Sequence, residues 1–109
     1  VVCHRIVRRR RELVAEPLTV AALLTRSARA AAVLRAHGVV EGDRVVVSLS
    51  DPHDFLVAFL AALGAGAAAV PLPTVVEAGA PASFAARVKS VCRDCAPRLA
   101  VVEGAARFT

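Results

Sequence analysis

Residues 38–73 constrain the fold of this chain more than any other stretch. Glu41-Gly42-Asp43 is turn chemistry. It feeds Arg44 to Leu49, where Val45, Val46 and Val47 stand in succession. β-branched residues without polar alternation predict a strand buried on both faces, as in a parallel sheet. Ser50-Asp51-Pro52 then starts a helix, with Ser50 or Asp51 as cap and Pro52 in the first turn. His53 to Ala65 is apolar nearly all round, which predicts a buried helix. Gly66 breaks it, and Ala67 to Leu72 reads as a second strand, with Pro71 and Pro73 closing it. Strand, helix and strand at these lengths make a crossover unit, right-handed and with parallel strands.

The flanking sequence continues the alternation. Val1 to Val7 reads as a strand, and Arg8 to Arg11 with Glu12 as a turn. Leu13 to Val14 returns as a second short strand. Pro17-Leu18-Thr19 opens a helix in which the Thr19 hydroxyl can accept from an early backbone N–H. From Val20 to His37 the positions Leu23, Ser27, Ala30, Ala31 and Leu34 recur at helical spacing, while Arg26 and Arg29 share a solvent-facing stripe. Gly38 ends this helix as a left-handed residue, and His37 suits the negative pole of the helix. Thr74 to Pro81 is a loop. Ser83 caps a third helix, Phe84 to Cys95, with Phe84, Val88 and Val91 inward. Pro97 ends it, Leu99 to Val102 is a last strand, and Glu103-Gly104 turns the chain. The fold class is α/β, a mostly parallel sheet with flanking helices in the order β-β-α-β-α-β-α-β. At 109 residues the chain is at most one domain. Residues 1–17 form a strand pair with a basic turn, and 18–109 the alternating portion.

Composition excludes several classes of function. Hydrophobic residues make up 57% and charged residues 21%, so the chain is not intrinsically disordered. The apolar content is mostly Ala and Val, with no Trp, Tyr or Met and only 4 Phe, so each core residue buries little area. Four of the charges in the net +5 come from Arg8, Arg9, Arg10 and Arg11, which leaves +1 elsewhere. No aromatic residue interleaves that run for base stacking, so it reads as a solvated turn and no nucleic-acid partner is expected. Phe55 to Pro73 is the longest uncharged run. Its Ala, Gly and Pro content fits a buried helix and strand better than a membrane span. No secretory signal is visible. The start at Val1, without Met, fits a fragment or a processed product.

No residue stands out for chemistry. Cys92-Arg93-Asp94-Cys95 is a C-x-x-C, but it falls at the carboxyl end of its helix, where the dipole does not favour a thiolate. Cys3 and His4 could join it in a four-ligand metal set, yet neighbours on a strand point to opposite faces. The odd count of 3 Cys fits a reducing, cytoplasmic compartment. His4, His37 and His53 have no Ser or Asp arranged as a triad, and Ser48 and Ser50 lack a nucleophile elbow. Gly64 and Gly66 follow a helix and precede a strand, the reverse of a dinucleotide fingerprint. Asp43 and Arg44 read as a structural turn, forming a local ion pair or cap. Catalytic, cofactor-binding and metal residues: none are expected in this chain.

Three stretches, in order, carry a resemblance. Leu18-Thr19-Val20-Ala21-Ala22-Leu23 resembles an opening Leu-Thr-Tyr-x-Glu-Leu; Gly42-Asp43-Arg44-Val45 and the run from Gly66 to Pro73 follow; Arg87, Asp94 and Pro97 close the match. The family it resembles is the adenylate-forming (AMP-binding) enzymes: acyl-CoA synthetases, fatty acyl-AMP ligases and adenylation domains. Val20 and Ala22 depart from the pattern. Ala22 in place of Glu removes the reciprocal half of a capping box at Thr19, which weakens the helix start. Pro71-Leu72-Pro73 and the loop before Arg87 are more similar to the fatty acyl-AMP ligase branch than to amino-acid adenylation domains.

The resemblance implies that the parent activates a carboxylic, fatty acid with ATP and Mg²⁺ to acyl-AMP, for transfer to CoA or an acyl carrier protein. The family's Ser/Thr/Gly-rich loop with a Lys, its Thr-Glu motif, its ribose-binding Asp and its late Lys are not in these residues. The expectation is therefore an incomplete amino-terminal subdomain of a larger fold, inactive alone, whose partner is the remainder of the enzyme. The alternative is a free-standing α/β binding or scaffold module. A membrane-associated peptide using Phe55 to Pro73 and the Arg run is a third reading.

Overall fold

The computed structural model describes residues 2–9, 12–74 and 81–102. β1 (Val2–Arg9) and β2 (Glu12–Thr19) pair antiparallel, from Val2 opposite Thr19 to Arg9 opposite Glu12. This hairpin corrects two expectations. Arg8, Arg9 and Glu12 belong to strands, and the return strand is longer than Leu13 to Val14. The turn expected at Arg10 and Arg11 lies outside the described residues. Pro17 sits inside β2 opposite His4. A two-stranded ribbon has only edge strands, where a residue without an N–H is tolerated. The ribbon forms a sheet of its own and does not join the parallel one.

Thr19 ends β2 and caps α1 (Val20–Ala36), its hydroxyl accepting from the Ala22 N–H at 3.1 Å. Leu23, Ser27, Ala31 and Leu34 are the buried face of α1. The helix closes as its spacing foretold. Gly38 is left-handed at φ 94, its N–H donates to the Arg35 carbonyl, and the Val39 N–H donates back to the Leu34 carbonyl. Val39 is itself buried, the apolar contact that accompanies such an ending.

β3 (Arg44–Ser48), α2 (Pro52–Gly64), β4 (Ala68–Pro71), α3 (Pro81–Cys95) and β5 (Leu99–Val102) complete the chain. The three strands form a parallel sheet in the order β4-β3-β5. Val45 and Val47 are fully buried and pack in one core with Ala31 and Leu34 of α1 and Ala58, Ala61 and Ala62 of α2. Val46 and Ser48 turn to the other face and share a small cavity with Phe84, Val88 and Cys92 of α3. Helices thus lie on both sides of β3, which explains its unbroken burial.

α2 departs from expectation. Its buried line is Ala58, Ala61 and Ala62, with Ala65 just past its end, while Phe55, Leu56, Val57, Phe59 and Leu60 are half-buried and Leu63 is exposed. Alanines let α2 approach α1 and the sheet closely. The larger side chains are only half-covered, although Phe55 packs against the core. α3 begins at Pro81, so Ser83 lies within the helix and does not cap it. Proline suits a first helical position because its missing N–H has no partner there. Phe84 is buried, and Val88 and Val91 are half-buried. Ala96 ends α3 in a left-handed conformation at φ 45, its N–H donating to the Cys92 carbonyl. No described helix is long and apolar enough to cross a membrane.

Candidate functional site

At the amino-terminal end of the sheet the chain is tied together around Asp43. Its carboxylate accepts from the Val40 N–H at 2.9 Å and pairs with the Arg98 guanidinium at 3.4 Å. Its carbonyl accepts from Ala68, and Gly42 donates to the Gly66 carbonyl. The Arg44 guanidinium donates to the Cys95 carbonyl, and the Arg98 N–H donates to the Arg44 carbonyl. The Val40 hydrogen bond, aided by Arg98 and by the charge of Arg44 against some desolvation, holds the Asp43 carboxyl below its ordinary 3.8. The local Asp43–Arg44 ion pair is therefore corrected. Successive residues entering a strand diverge, so Asp43 pairs with a residue 55 positions away and Arg44 with the end of α3. This is a structural joint between α1, the sheet and α3.

Ligands of open parallel sheets bind beyond the carboxyl ends of the strands. Here Ser48 is buried and its hydroxyl donates to the Pro73 carbonyl at 3.1 Å, which holds the end of β3 against the segment after β4. Asp51 caps α2, its carboxylate accepting from His53 and Asp54. The positive pole of α2 is thus already met by a carboxylate, which disfavours a phosphate there. A crevice of about 570 Å³ lies between Leu49, Phe55, Leu56, Pro71 and Pro73. A second groove of about 600 Å³ runs between α1, α2 and β5, lined by Ala30, Val33, Leu49, Val57, Val101 and Val102. Asp54 stands at its rim, paired with Arg26 at 3.2 Å. Both hollows are lined mainly by apolar side chains, with Ser50 at the first and Asp54 at the second.

The residues weighed from sequence are scattered. Cys92 is exposed and Cys95 half-buried, both free thiols in the last turn of α3. Cys3 and His4 lie on β1, in the other sheet. The His37 ring nitrogen Nδ1 is 2.9 Å from the Val33 carbonyl, within its own helix end. His53 is 4% exposed and its Nε2 has no hydrogen-bond partner, as is true of the buried Ser27 hydroxyl. Among the described residues no three His, Cys, Asp or Glu converge on a metal position. Among the described residues the starts of α1 and α2 are already capped, by Thr19 and Asp51, and no carboxylate cluster is offered to Mg²⁺. Arg35, whose guanidinium donates to the Gly64 carbonyl at 2.6 Å, and Arg98 are among the long-range polar ties that sequence reasoning missed. Their partners lie 29 and 55 positions away, and nothing local marks them.

Three comparisons bear on this arrangement. Residues 7–109 match the family model described as AMP-binding enzyme. Over 96 residues the chain is 38% identical to the long-chain-fatty-acid–AMP ligase FadD23 of Mycobacterium tuberculosis, covering 86% of this chain and 15% of that protein. Its structure aligns with a fatty acid AMP ligase from Legionella pneumophila at a TM-score of 0.71 and 26% identity, over 82% of this chain and 15% of that one. A fatty acyl CoA synthetase of Mycobacterium tuberculosis aligns at a TM-score of 0.66 and 27% identity, over 81% and 16% of the two chains. The chain thus spans about 15% of the length of the curated relatives it matches.

Proposed function

Because the chain belongs to the AMP-binding enzyme family, we propose that it is the amino-terminal portion of an ATP-dependent ligase acting on a fatty acid. The reaction of that ligase joins the acid to AMP and releases pyrophosphate, and the acyl group then passes to the thiol of CoA or of an acyl carrier protein. The ligase works in the cytoplasm, where thiols such as Cys92 and Cys95 stay reduced. The observation that carries this reading is the 38% identity to a long-chain-fatty-acid–AMP ligase across 86% of the chain. The mostly apolar lining of both hollows supports it.

The role of these residues in the ligase is architectural. Activation of a carboxylate needs in-line positioning and cationic stabilisation of the phosphates. The described residues bring no set of groups together for either. They supply a rigid parallel sheet with its joint at Asp43. On this reading the isolated chain is inactive. It should give no ATP–pyrophosphate exchange above background with a long-chain fatty acid and Mg²⁺. Exchange that survives repurification and scales with the chain's concentration would overturn the inactivity.

A further inference from the structure

The last turn of α3 carries two free thiols of unequal access. Cys92 and Cys95 are three residues apart, so they are neighbours on the helix surface. Phe84, Val88 and Val91 form the covered side of α3, and Cys95 is half-buried at its end. Cys92 is exposed, while its flank lines the small cavity with Val46, Ser48 and Val88. One thiol therefore meets solvent from a packed position, and its neighbour is screened. The charge around them is one-sided. Arg87, Lys89 and Arg93 are exposed on α3, and Asp94 is the only acidic residue of that helix. Such a surface draws anionic reagents.

The geometry lies close to that of a disulfide. Side chains three apart on a helix have Cβ atoms about 5–6 Å apart, and a disulfide needs about 3.5–4.5 Å. The turn must tighten by about 1–2 Å, and it sits where a helix can tighten. As a terminal carbonyl, that of Cys95 has no partner within the helix. It accepts instead from the Arg44 guanidinium, on a long side chain that can follow it. Ala96 already leaves the helix at φ 45, a conformation that alanine holds at a cost.

We propose that Cys92 and Cys95 are a thiol modification site, a dithiol that a small anionic disulfide of the oxidised-glutathione class converts to an intramolecular disulfide. The Cys92 thiolate attacks one sulfur of the reagent, forming a mixed disulfide and expelling half of the reagent as a thiolate. The Cys95 thiolate then attacks the Cys92 sulfur, forming the Cys92–Cys95 bond and expelling the other half. Two protein thiols are oxidised, the reagent is reduced to two thiols, and the two protons pass to these. The negative pole of the helix makes the reaction stoichiometric and slow, unlike that of a catalytic pair. The dithiol is the form in a reducing compartment, and the disulfide is the form under oxidative load. The site does not depend on the ligase reading.

Incubation of the chain with oxidised glutathione, an acid quench and thiol mapping by mass spectrometry test the site. The chain should lose two hydrogens, with Cys92 joined to Cys95, and reduced dithiothreitol should restore both thiols. Cys95→Ser and Cys95→Ala should stop at a glutathione adduct on Cys92 that lasts at least about tenfold longer than in the unsubstituted chain. Cys92→Ser should react at Cys95 at least about tenfold more slowly than the unsubstituted chain reacts at Cys92. In urea the Cys92→Ser and Cys95→Ser chains should react at equal rates, because the difference in access belongs to the fold. A Cys92 adduct as durable in the unsubstituted chain as in Cys95→Ser overturns the proposal. So does a Cys92 that stays unreacted, a bond from either thiol to Cys3, or a disulfide between two copies. A rate difference that survives urea overturns the roles given to the two thiols.

Discussion

Asp43 shows how one side chain can hold several elements. Its lowered pKa means that the folded chain favours the carboxylate. The stability linked to that preference is present above the carboxyl's unfolded pKa and is lost as pH falls through the lower folded value. Asp43→Asn should lower Tm at neutral pH, and the gap to the wild type should narrow once the pH drops below 3.8. Thermal melts across that range check it; a gap that is constant with pH contradicts the account. Gly66 is a second such position. At φ 79 it is left-handed, and a Cβ there would lie 3.2 Å from Glu41 Cα and Cβ. Gly42, at φ 86, would meet nothing within 4 Å. Gly42→Ala should therefore cost only the left-handed penalty, roughly 1–2 kcal/mol, and Gly66→Ala clearly more, as read from urea unfolding. These glycines were legible because turn chemistry is local. Arg98 was not, since its partner lies across the fold.

At the scale of elements, the helices and the buried strand were legible from periodicity. The face of α1 at Leu23, Ser27, Ala31 and Leu34 matches the positions its spacing named, less the half-buried Ala30. The hairpin was less legible, because Pro17 and the arginines of β1 read as breakers and turn. α2 was misjudged for a different reason. A helix that is apolar all round looks buried, but sequence does not say whether a layer lies over each side. Its close approach to α1 depends on alanines, and Gly64 would place a Cβ 3.8 Å from Ala31. Ala62 is fully buried in that contact region. Ala62→Leu should destabilise the chain by about 1–3 kcal/mol through overpacking. Leu63→Ala, at an exposed position of the same helix, should change stability by less than about 0.5 kcal/mol. Equal effects in denaturant titrations would mean that α2 is packed on its outer side as well.

For the whole molecule, the family was legible from the order of three short motifs, and the comparisons carry the same assignment. No catalytic site was named from sequence; in the structure the Nε2 of His53 has no hydrogen-bond partner and the Ser48 hydroxyl is committed to the Pro73 carbonyl. What the fold does offer is apolar hollows and half-covered aromatic residues on α2. These are surfaces suited to more protein. The central claim is that the chain is an architectural portion of a fatty-acid-activating ligase. The most direct measurement is ATP–pyrophosphate exchange, with a long-chain fatty acid and Mg²⁺, by a chimera of the Mycobacterium tuberculosis long-chain-fatty-acid–AMP ligase that carries this chain in place of the matching segment. The account predicts fatty-acid-dependent exchange by the chimera and none by the same ligase with the segment deleted. A chimera that folds, by circular dichroism and a cooperative melt, yet stays at the level of the deletion would contradict it.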